Sequence, residues 1–260
     1  MIKPQIPKDK KHQQQTIYIG TSGIALPITK DSFPAEYKGA TRLTYYSSLF
    51  NSLEVNSSFY KTPRAATFEK WANEVGDDFR FTIKFPKAVS HAKKLQFNDD
   101  EISGFLHSAN AIAPKKGALL IQFPASISAW YFAEVEELLA RVDAQQGDHR
   151  WDVAVEFRHL SWYTGETYTM LNQRHAALVV HDMPGSATPL NHSATRFIYL
   201  RLHGPTGDYK GSYPKSRIHE MAVWLAEQKK QGKTIYVYFN NTMGDAYNNA
   251  WWLQECLANL

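Results

Sequence analysis

The sequence predicts a (β/α)8 barrel in a single domain. Three observations lead there: eight short β-type runs, helical patterns between nearly all of them, and a 260-residue chain with no linker-like stretch after its first 15 residues. Barrels of this kind hold ~250 residues, and strands joined by helical crossovers pair in parallel. An open doubly wound sheet is the runner-up. It would want a G-x-G-x-x-G fingerprint after the first strand, and Gly20-Thr21-Ser22-Gly23 lacks that spacing.

The β-type runs are residues 17–20, 53–56, 81–85, 118–123, 153–157, 177–181, 197–202 and 234–239, all rich in Ile, Val, Phe and Tyr. Apolar residues at helical spacing follow most of them. After the first come Leu43, Tyr46, Leu49 and Phe50; after the second, Phe68, Trp71, Ala72 and Val75; after the third, Ile102, Phe105, Leu106 and Ala109. Phe132, Val135, Leu138, Leu139 and Val142 follow the fourth, and Met170 and Leu171 weakly mark a helix after the fifth. Ile218, Met221, Ala222 and Leu225 follow the seventh, and Ala250, Leu253 and Leu257 the eighth. The connection after strand six, residues 183–196, has two prolines and no periodicity, so its helix is expected to be reduced or absent. Residues 1–15, with two prolines, clustered Lys and a Gln run, are expected to form a flexible basic tail, leaving 16–260 as the barrel.

Composition excludes several classes. The 29 Lys and Arg exceed the 25 Asp and Glu by four, and three of those four charges sit in the first 15 residues. A protein that coats nucleic acid would be far more basic. One cysteine, Cys256, excludes a disulfide framework and points to a reducing compartment, so the expected location is cytoplasmic. No run of 18 or more apolar residues suits a membrane span.

Successive strand residues face opposite ways. One parity is apolar throughout: Ile17 and Ile19, Leu53 and Val55, Phe81, Ile83 and Phe85, Val153, Val155 and Phe157, Ile198, Leu200 and Leu202, and Ile235, Val237 and Phe239. That face suits packing under helices. The other parity turns polar at the C-terminal ends: Gly20 and Ser22, Glu54 and Asn56, Thr82 and Lys84, Gln122, Glu156 and Arg158, His181, Arg201 and His203, Tyr238 and Asn240. Burying so many polar groups is costly unless they pair or serve a site, and barrel active sites lie at that end.

The strand-end motifs are similar to those of the domain-of-unknown-function family 72, the YecE-like proteins. They are IGTSG (19–23), FNSLEVNSSFY (50–60), FTIKFPKAVSHAKKL (81–95), LLIQFPAS (119–126), VAVEFRHLSW (153–162), VVHD (179–182), YLRLHGP (199–205), GSY (211–213) and VYFNN (237–241). The resemblance implies a TIM barrel and carries no activity with it. The family's aromatic after TSG is replaced here by Ile24, and the segment after it by Ala25-Leu26-Pro27.

The residues themselves suggest an enzyme for a small anionic substrate, carrying phosphate or carboxylate, with acid–base chemistry such as hydrolysis. Glu156 is the candidate base, His203 the acid and Lys84 a further catalytic group. Arg158 and Arg201 form an anion clamp, with Lys84 beside them; Glu54, Asn56, His181 and Asn240 complete the binding set. Lys84 is also expected to pair with Glu54. Gly211 and Ser212, in the glycine-containing loop after strand seven, are candidates for holding a phosphate. Tyr60, Trp162, Tyr209 and Tyr213 are candidates for stacking on a ligand. The charges of Glu54, Glu156, Lys84, Arg158 and Arg201 sum to +1. The three cations argue against a divalent metal, so no metal ligands are assigned and the cofactor is left unknown. His181 and Asp182, adjacent on a strand, should point opposite ways, with His181 alone lining the pocket. Glu156→Gln and Arg201→Ala are expected to keep the fold and remove turnover. A metal-dependent nucleic-acid phosphodiesterase is the alternative, with nucleic acid the less favoured partner, and a non-catalytic ligand-binding module is the third reading.

Overall fold

The computed structural model describes residues 17–146, 150–189 and 197–260. The eight strands are β1 (Ile17–Thr21), β2 (Ser52–Val55), β3 (Arg80–Lys84), β4 (Lys116–Gln122), β5 (Asp152–Glu156), β6 (Ala176–His181), β7 (Phe197–Leu202) and β8 (Thr234–Phe239). Each lies within two residues of its expected bounds. All ladders are parallel, in the order β1-β8-β7-β6-β5-β4-β3-β2.

The helices are α1 (Arg42–Ser47), α2 (Ala65–Asn73), α3 (Lys87–Ser90), α4 (Asp99–Asn110), α5 (Phe132–Ala144), α6 (Gly165–Gln173), α7 (Lys215–Lys230) and α8 (Ala246–Ala258). Their starts follow local chemistry. The side chains of Thr41, Asn98 and Thr164 accept the backbone N–H groups of Thr44, Asp100 and Thr167, capping α1, α4 and α6. Asp99, Asp100 and Glu101 place negative charge in the first turn of α4. The short α3 lies in a loop whose length gave no helical period. Residues 182–189 after β6 contain no helix, and 190–196 lie outside the described residues, as does the expected N-terminal tail. Among the described residues, no helix is long and apolar enough to cross a membrane.

The two strand parities become two separate cores. The larger packs strand residues such as Ile19, Val55, Ile83, Val155, Leu200 and Val237 against the helices. The smaller fills the barrel with Tyr18, Ala118, Leu120, Ala154, Ala177, Val179, Phe197, Tyr199, Tyr236 and Tyr238. Its four tyrosines form a column: Tyr18 to Tyr236 at 5.3 Å, Tyr236 to Tyr199 at 6.2 Å, and Tyr199 to Tyr238 at 5.3 Å between ring centroids. Three of their hydroxyls are paired: Tyr238 with Ser52 (2.6 Å) and Thr82 (2.7 Å), Tyr199 with Glu54, and Tyr236 with Asp152 (2.9 Å).

The ring closes differently between β1 and β2. There the backbone makes one bridge, Ser22 with Glu54, where Gly23 donates its N–H to the Glu54 carbonyl at 2.8 Å. Side chains lace the rest. Asn51 accepts the Ile19 N–H (2.8 Å) and donates to the Ile17 carbonyl (2.9 Å). The Tyr46 hydroxyl accepts the Thr21 N–H (2.8 Å) and donates to the Ser52 carbonyl (3.0 Å). Gly20 lets this happen: a Cβ there would lie 2.0 Å from the Ser52 carbonyl oxygen.

Candidate functional site

Above the tyrosine column, the inward parity delivers its polar residues to one cluster. Glu54 lies next to the last residue of β2 and Arg201 on β7, both buried. Arg201 donates its Nε–H to both Glu54 oxygens at 3.1 Å, with Nη2 3.0 Å from Oε1. Ser22 and Tyr199 add hydroxyl donors to Glu54, at 2.6 and 2.5 Å. Arg201 Nη1 reaches Oε2 of Glu156, which ends β5, at 3.2 Å. Arg158 Nε donates to the other Glu156 oxygen. Six charge-assisted hydrogen bonds of this kind explain how two carboxylates stay ionised in a dry interior.

The electrostatics follow. Burial pushes the Glu54 carboxyl up, but Arg201, Ser22 and Tyr199 together outweigh it and hold the group below the usual carboxylate range. Burial acts likewise on Glu156, and Arg201 and Arg158 together hold it well below that range. Arg201 is pushed down by burial and up by both carboxylates, with the rise winning.

His203 lies beyond β7, with both ring nitrogens committed. Nε2 faces Arg158 Nη2 at 2.9 Å and Arg201 Nη1 at 3.2 Å. Guanidinium groups only donate, so Nε2 accepts and the proton sits on Nδ1. Nδ1 then donates to Asp182 Oδ1 at 3.3 Å, and the same oxygen accepts the His203 backbone N–H at 2.8 Å. Tyr213 donates to the other Asp182 oxygen and accepts the Gly204 N–H at 2.6 Å. Burial lowers the His203 pKa; Asp182 and Glu156 oppose that, and the two arginines reinforce it.

The sequence reasoning missed Asp182. It follows the last residue of β6, where strict alternation no longer holds, so its side chain turns toward His203. His181 packs edge-on against His203, with 5.8 Å between ring centroids, but its own nitrogens are committed elsewhere. It is 3% exposed, with Nε2 donating to the Phe157 carbonyl at 3.0 Å and Nδ1 accepting the Met183 N–H at 3.3 Å. Burial, opposed by Glu156, drives its pKa to about 4, so the ring is neutral. Counting Asp182, the cluster of three carboxylates and three cations is formally neutral rather than +1.

Lys84 corrects a second expectation. It does not pair with Glu54. Its Nζ donates to Gln122 Oε1 at 3.0 Å and lies 4.2 Å from the centroid of the Phe59 ring. Burial and Arg201 lower its pKa, Glu156 and Glu54 oppose them, and the result is about 8. Asn56 and Asn240 directly follow β2 and β8; among the described residues, Asn56 Oδ1 is buried with no hydrogen-bond partner.

Gly211 and Ser212 are not brought to this cluster. The Gly211 carbonyl accepts the Asn241 side chain at 2.9 Å and the Asp245 N–H at 3.0 Å. Ser212 donates to Asp245 at 2.9 Å and accepts from Asn249 at 2.9 Å. These bonds dock the loop after β7 onto α8, and a carboxylate beside Ser212 repels an anion. Of the four aromatics, Trp162 is buried, stacked 4.2 Å from Phe157, and Tyr213 is buried in the Asp182 network. Tyr60 and Tyr209 remain exposed, Tyr209 with its ring 5.7 Å from His203. Among the described residues, no group of three or more His, Cys, Asp or Glu side chains is arranged to hold a metal ion.

The fold and this cluster define a TIM barrel with a charged network at the C-terminal ends of its strands. The model of the family described as "Protein of unknown function DUF72" matches residues 18–260, so the chain belongs to the DUF72 family. Two curated relatives are similar to it. UPF0759 protein YunF of Bacillus subtilis is 28% identical over 93% of this chain and 94% of its own length. UPF0759 protein YecE of Escherichia coli is 32% identical over 52% of this chain, and that match spans about half, 48%, of the relative. Solved structures agree on the fold. A DUF72 family protein of Enterococcus faecalis matches with a TM-score of 0.77 at 21% identity, covering 94% of this chain and 96% of that one. One from Thermotoga maritima gives 0.67 at 25% identity, covering 94% and 100%.

Proposed function

We propose that the chain is an enzyme that binds a small phosphate- or carboxylate-bearing molecule at the mouth of the barrel and moves protons on it. The supporting observation is Arg158. Its Nε is fixed by Glu156 and its Nη2 by His203, its side chain is 13% exposed, and among the described residues Nη1 has no hydrogen-bond partner. A guanidinium held on two sides offers its remaining donors to an anion without having to be ordered first. Glu54, Arg201, Glu156, His203 and Asp182 are the frame that fixes it.

Lys84 is the group suited to proton transfer. A pKa of about 8 puts both of its forms in reach at neutral pH. Glu156, named as the base from the sequence, is a weak one when two guanidiniums hold it ionised, and His203 has no free nitrogen while Arg158 stays in place. Both act better as positioning residues. Hydrolysis of a phosphate ester is one reaction this set could serve.

The test is calorimetric titration with inorganic phosphate at low salt. The wild-type chain is expected to bind, and Arg158→Gln to bind at least ~10-fold more weakly, since a hydrogen bond to a charged group contributes about 1.5–3 kcal/mol. Equal affinity in the two proteins, or no binding of phosphate or acetate by the wild type, overturns the reading.

A further inference from the structure

We propose that Lys84 is a nucleophilic amine that forms an imine with the carbonyl group of a small anionic aldehyde or ketone. This deepens the reading above and rests on it for the anion, whose phosphate or carboxylate would lie at Arg158.

The surroundings of Lys84 are unusual for a buried lysine. Such residues are almost always paired with a carboxylate. Here the side chain is 9% exposed, and among the described residues its only hydrogen-bond partner is the Gln122 amide oxygen. The second contact is the Phe59 ring face. Gln122 is itself oriented, because its Nε2 donates to the Phe123 carbonyl at 3.0 Å and so turns Oε1 toward the amine. Ser58 donates to the Lys84 carbonyl at 2.7 Å and to the Val55 carbonyl at 3.0 Å, pinning the end of β3 beside β2. The amine is therefore held by neutral groups; burial first, then Arg201 and Arg158, disfavour its charged form, and Glu156 and Glu54 oppose them. A free amine that donates one N–H to Gln122 keeps its lone pair directed away from that amide, ready for a carbonyl carbon.

The chemistry balances without an added reagent. The lone pair of the neutral amine attacks the carbonyl carbon, forming a C–N bond and a carbinolamine. The C–O bond then breaks. Relative to the starting ammonium, nitrogen gives up two protons, which leave with the carbonyl oxygen as water, and a protonated C=N bond remains. Nothing is oxidised or reduced. Phe59 also forms part of the lining of a cavity of about 410 Å³, together with Tyr60, Lys61, Lys87, His91 and Glu101; Lys84 and Arg158 are not among its lining residues. Lys61 and Lys87 are exposed and serve as internal controls.

The experiment uses two anionic aldehydes as probes, pyridoxal 5′-phosphate and glyoxylate. Each is incubated with the full chain at pH 7.5 in less than one equivalent, reduced with borohydride, and the labelled lysine located by peptide mass spectrometry. An ordinary lysine has a pKa of ~10.4, so Lys84 holds on the order of 100-fold more free amine at this pH. The expected result is labelling of Lys84 at least ~10-fold above Lys61 and Lys87, suppressed by excess inorganic phosphate. Lys84→Arg, and independently Lys84→Gln, lose that label while keeping the wild-type circular dichroism. Label spread over exposed lysines with Lys84 unmodified overturns the proposal, even where phosphate binds. Labelling of Lys84 in a chain that binds no phosphate, and unaffected by it, leaves the imine standing and removes the anion site instead.

Discussion

Arg201 shares its Nε–H between both oxygens of Glu54, at 3.1 Å each, although β1 and β8 separate their strands in the ring. The pair therefore braces the barrel across its width. Both groups are almost fully buried, so removing either leaves its partner charged and dry. Glu54→Gln is expected to cost ~3–5 kcal/mol, the usual penalty for breaking a buried ion pair. Urea unfolding measures it; a loss below 1 kcal/mol would mean that water reaches the guanidinium. The same burial changes the forecast for Arg201→Ala. It strands two carboxylates, so it unsettles the fold rather than sparing it, and it cannot serve as a clean test of turnover.

Stability should depend on pH through His181. Its pKa falls from the usual 6.5 to about 4, so between those values the unfolded chain holds more protons than the native one. Stability therefore drops as pH falls through that window, by about 3 kcal/mol from this group. His203 and the half-buried His91 are shifted the same way and add to the slope. Glu54 and Glu156, held low, keep their contribution until the pH falls below the ordinary carboxylate range. His181→Gln should flatten the urea-midpoint profile between pH 6.5 and 4.5. A wild-type profile already flat there contradicts a neutral His181.

Gly20→Ala tests the joint between β1 and β2. The new methyl would meet the Ser52 carbonyl oxygen at 2.0 Å and the Tyr46 hydroxyl at 2.8 Å, neither free to retreat. Overpacking of this kind costs ~1–3 kcal/mol or more. Asn51→Ala attacks the same joint by leaving the Ile19 N–H and the Ile17 carbonyl short of a partner, at ~1–3 kcal/mol per group left unpaired in the interior. Thermal melts of both variants should show clear losses; an unchanged Gly20→Ala melt would show that the strands can part there at no cost.

Ser212→Ala should leave phosphate binding unchanged. Its hydroxyl is committed to Asp245 and Asn249, away from Arg158 and Lys84. Calorimetry showing a loss comparable to that of Arg158→Gln would return the loop after β7 to the site.

The barrel was legible because its two cores impose different rules. The helix-facing parity had to be apolar from Ile19 round to Val237, and the opposite one could turn polar only where the strands reach the mouth, at Glu54, Lys84, Glu156 and Arg201. Period-two alternation was enough to collect those four. Beyond the strand ends it still held for Arg158 and His203, but it failed at Asp182. Asp182 could not be placed by parity because β6 ends at His181, and the backbone beyond it is free to turn. The partner of Lys84 differs from the expected Glu54 for a related reason. Strand neighbours suggested Glu54, but Arg201 satisfies that carboxylate from across the barrel, a contact between positions 147 residues apart. The loop after β7 looked like a phosphate cradle from its glycines, yet glycine spacing does not reveal that Asp245 arrives from the next connection.

The lacing between β1 and β2 also has a bearing on how the protein keeps to itself. A sheet that fails to complete its backbone ladder leaves two edges, and open edges recruit strands from other molecules. Asn51 and Tyr46 occupy the N–H and C=O groups that an intruding strand would need. Two side chains thus do for this gap what a ninth strand would otherwise do, and they deny it to a neighbouring molecule.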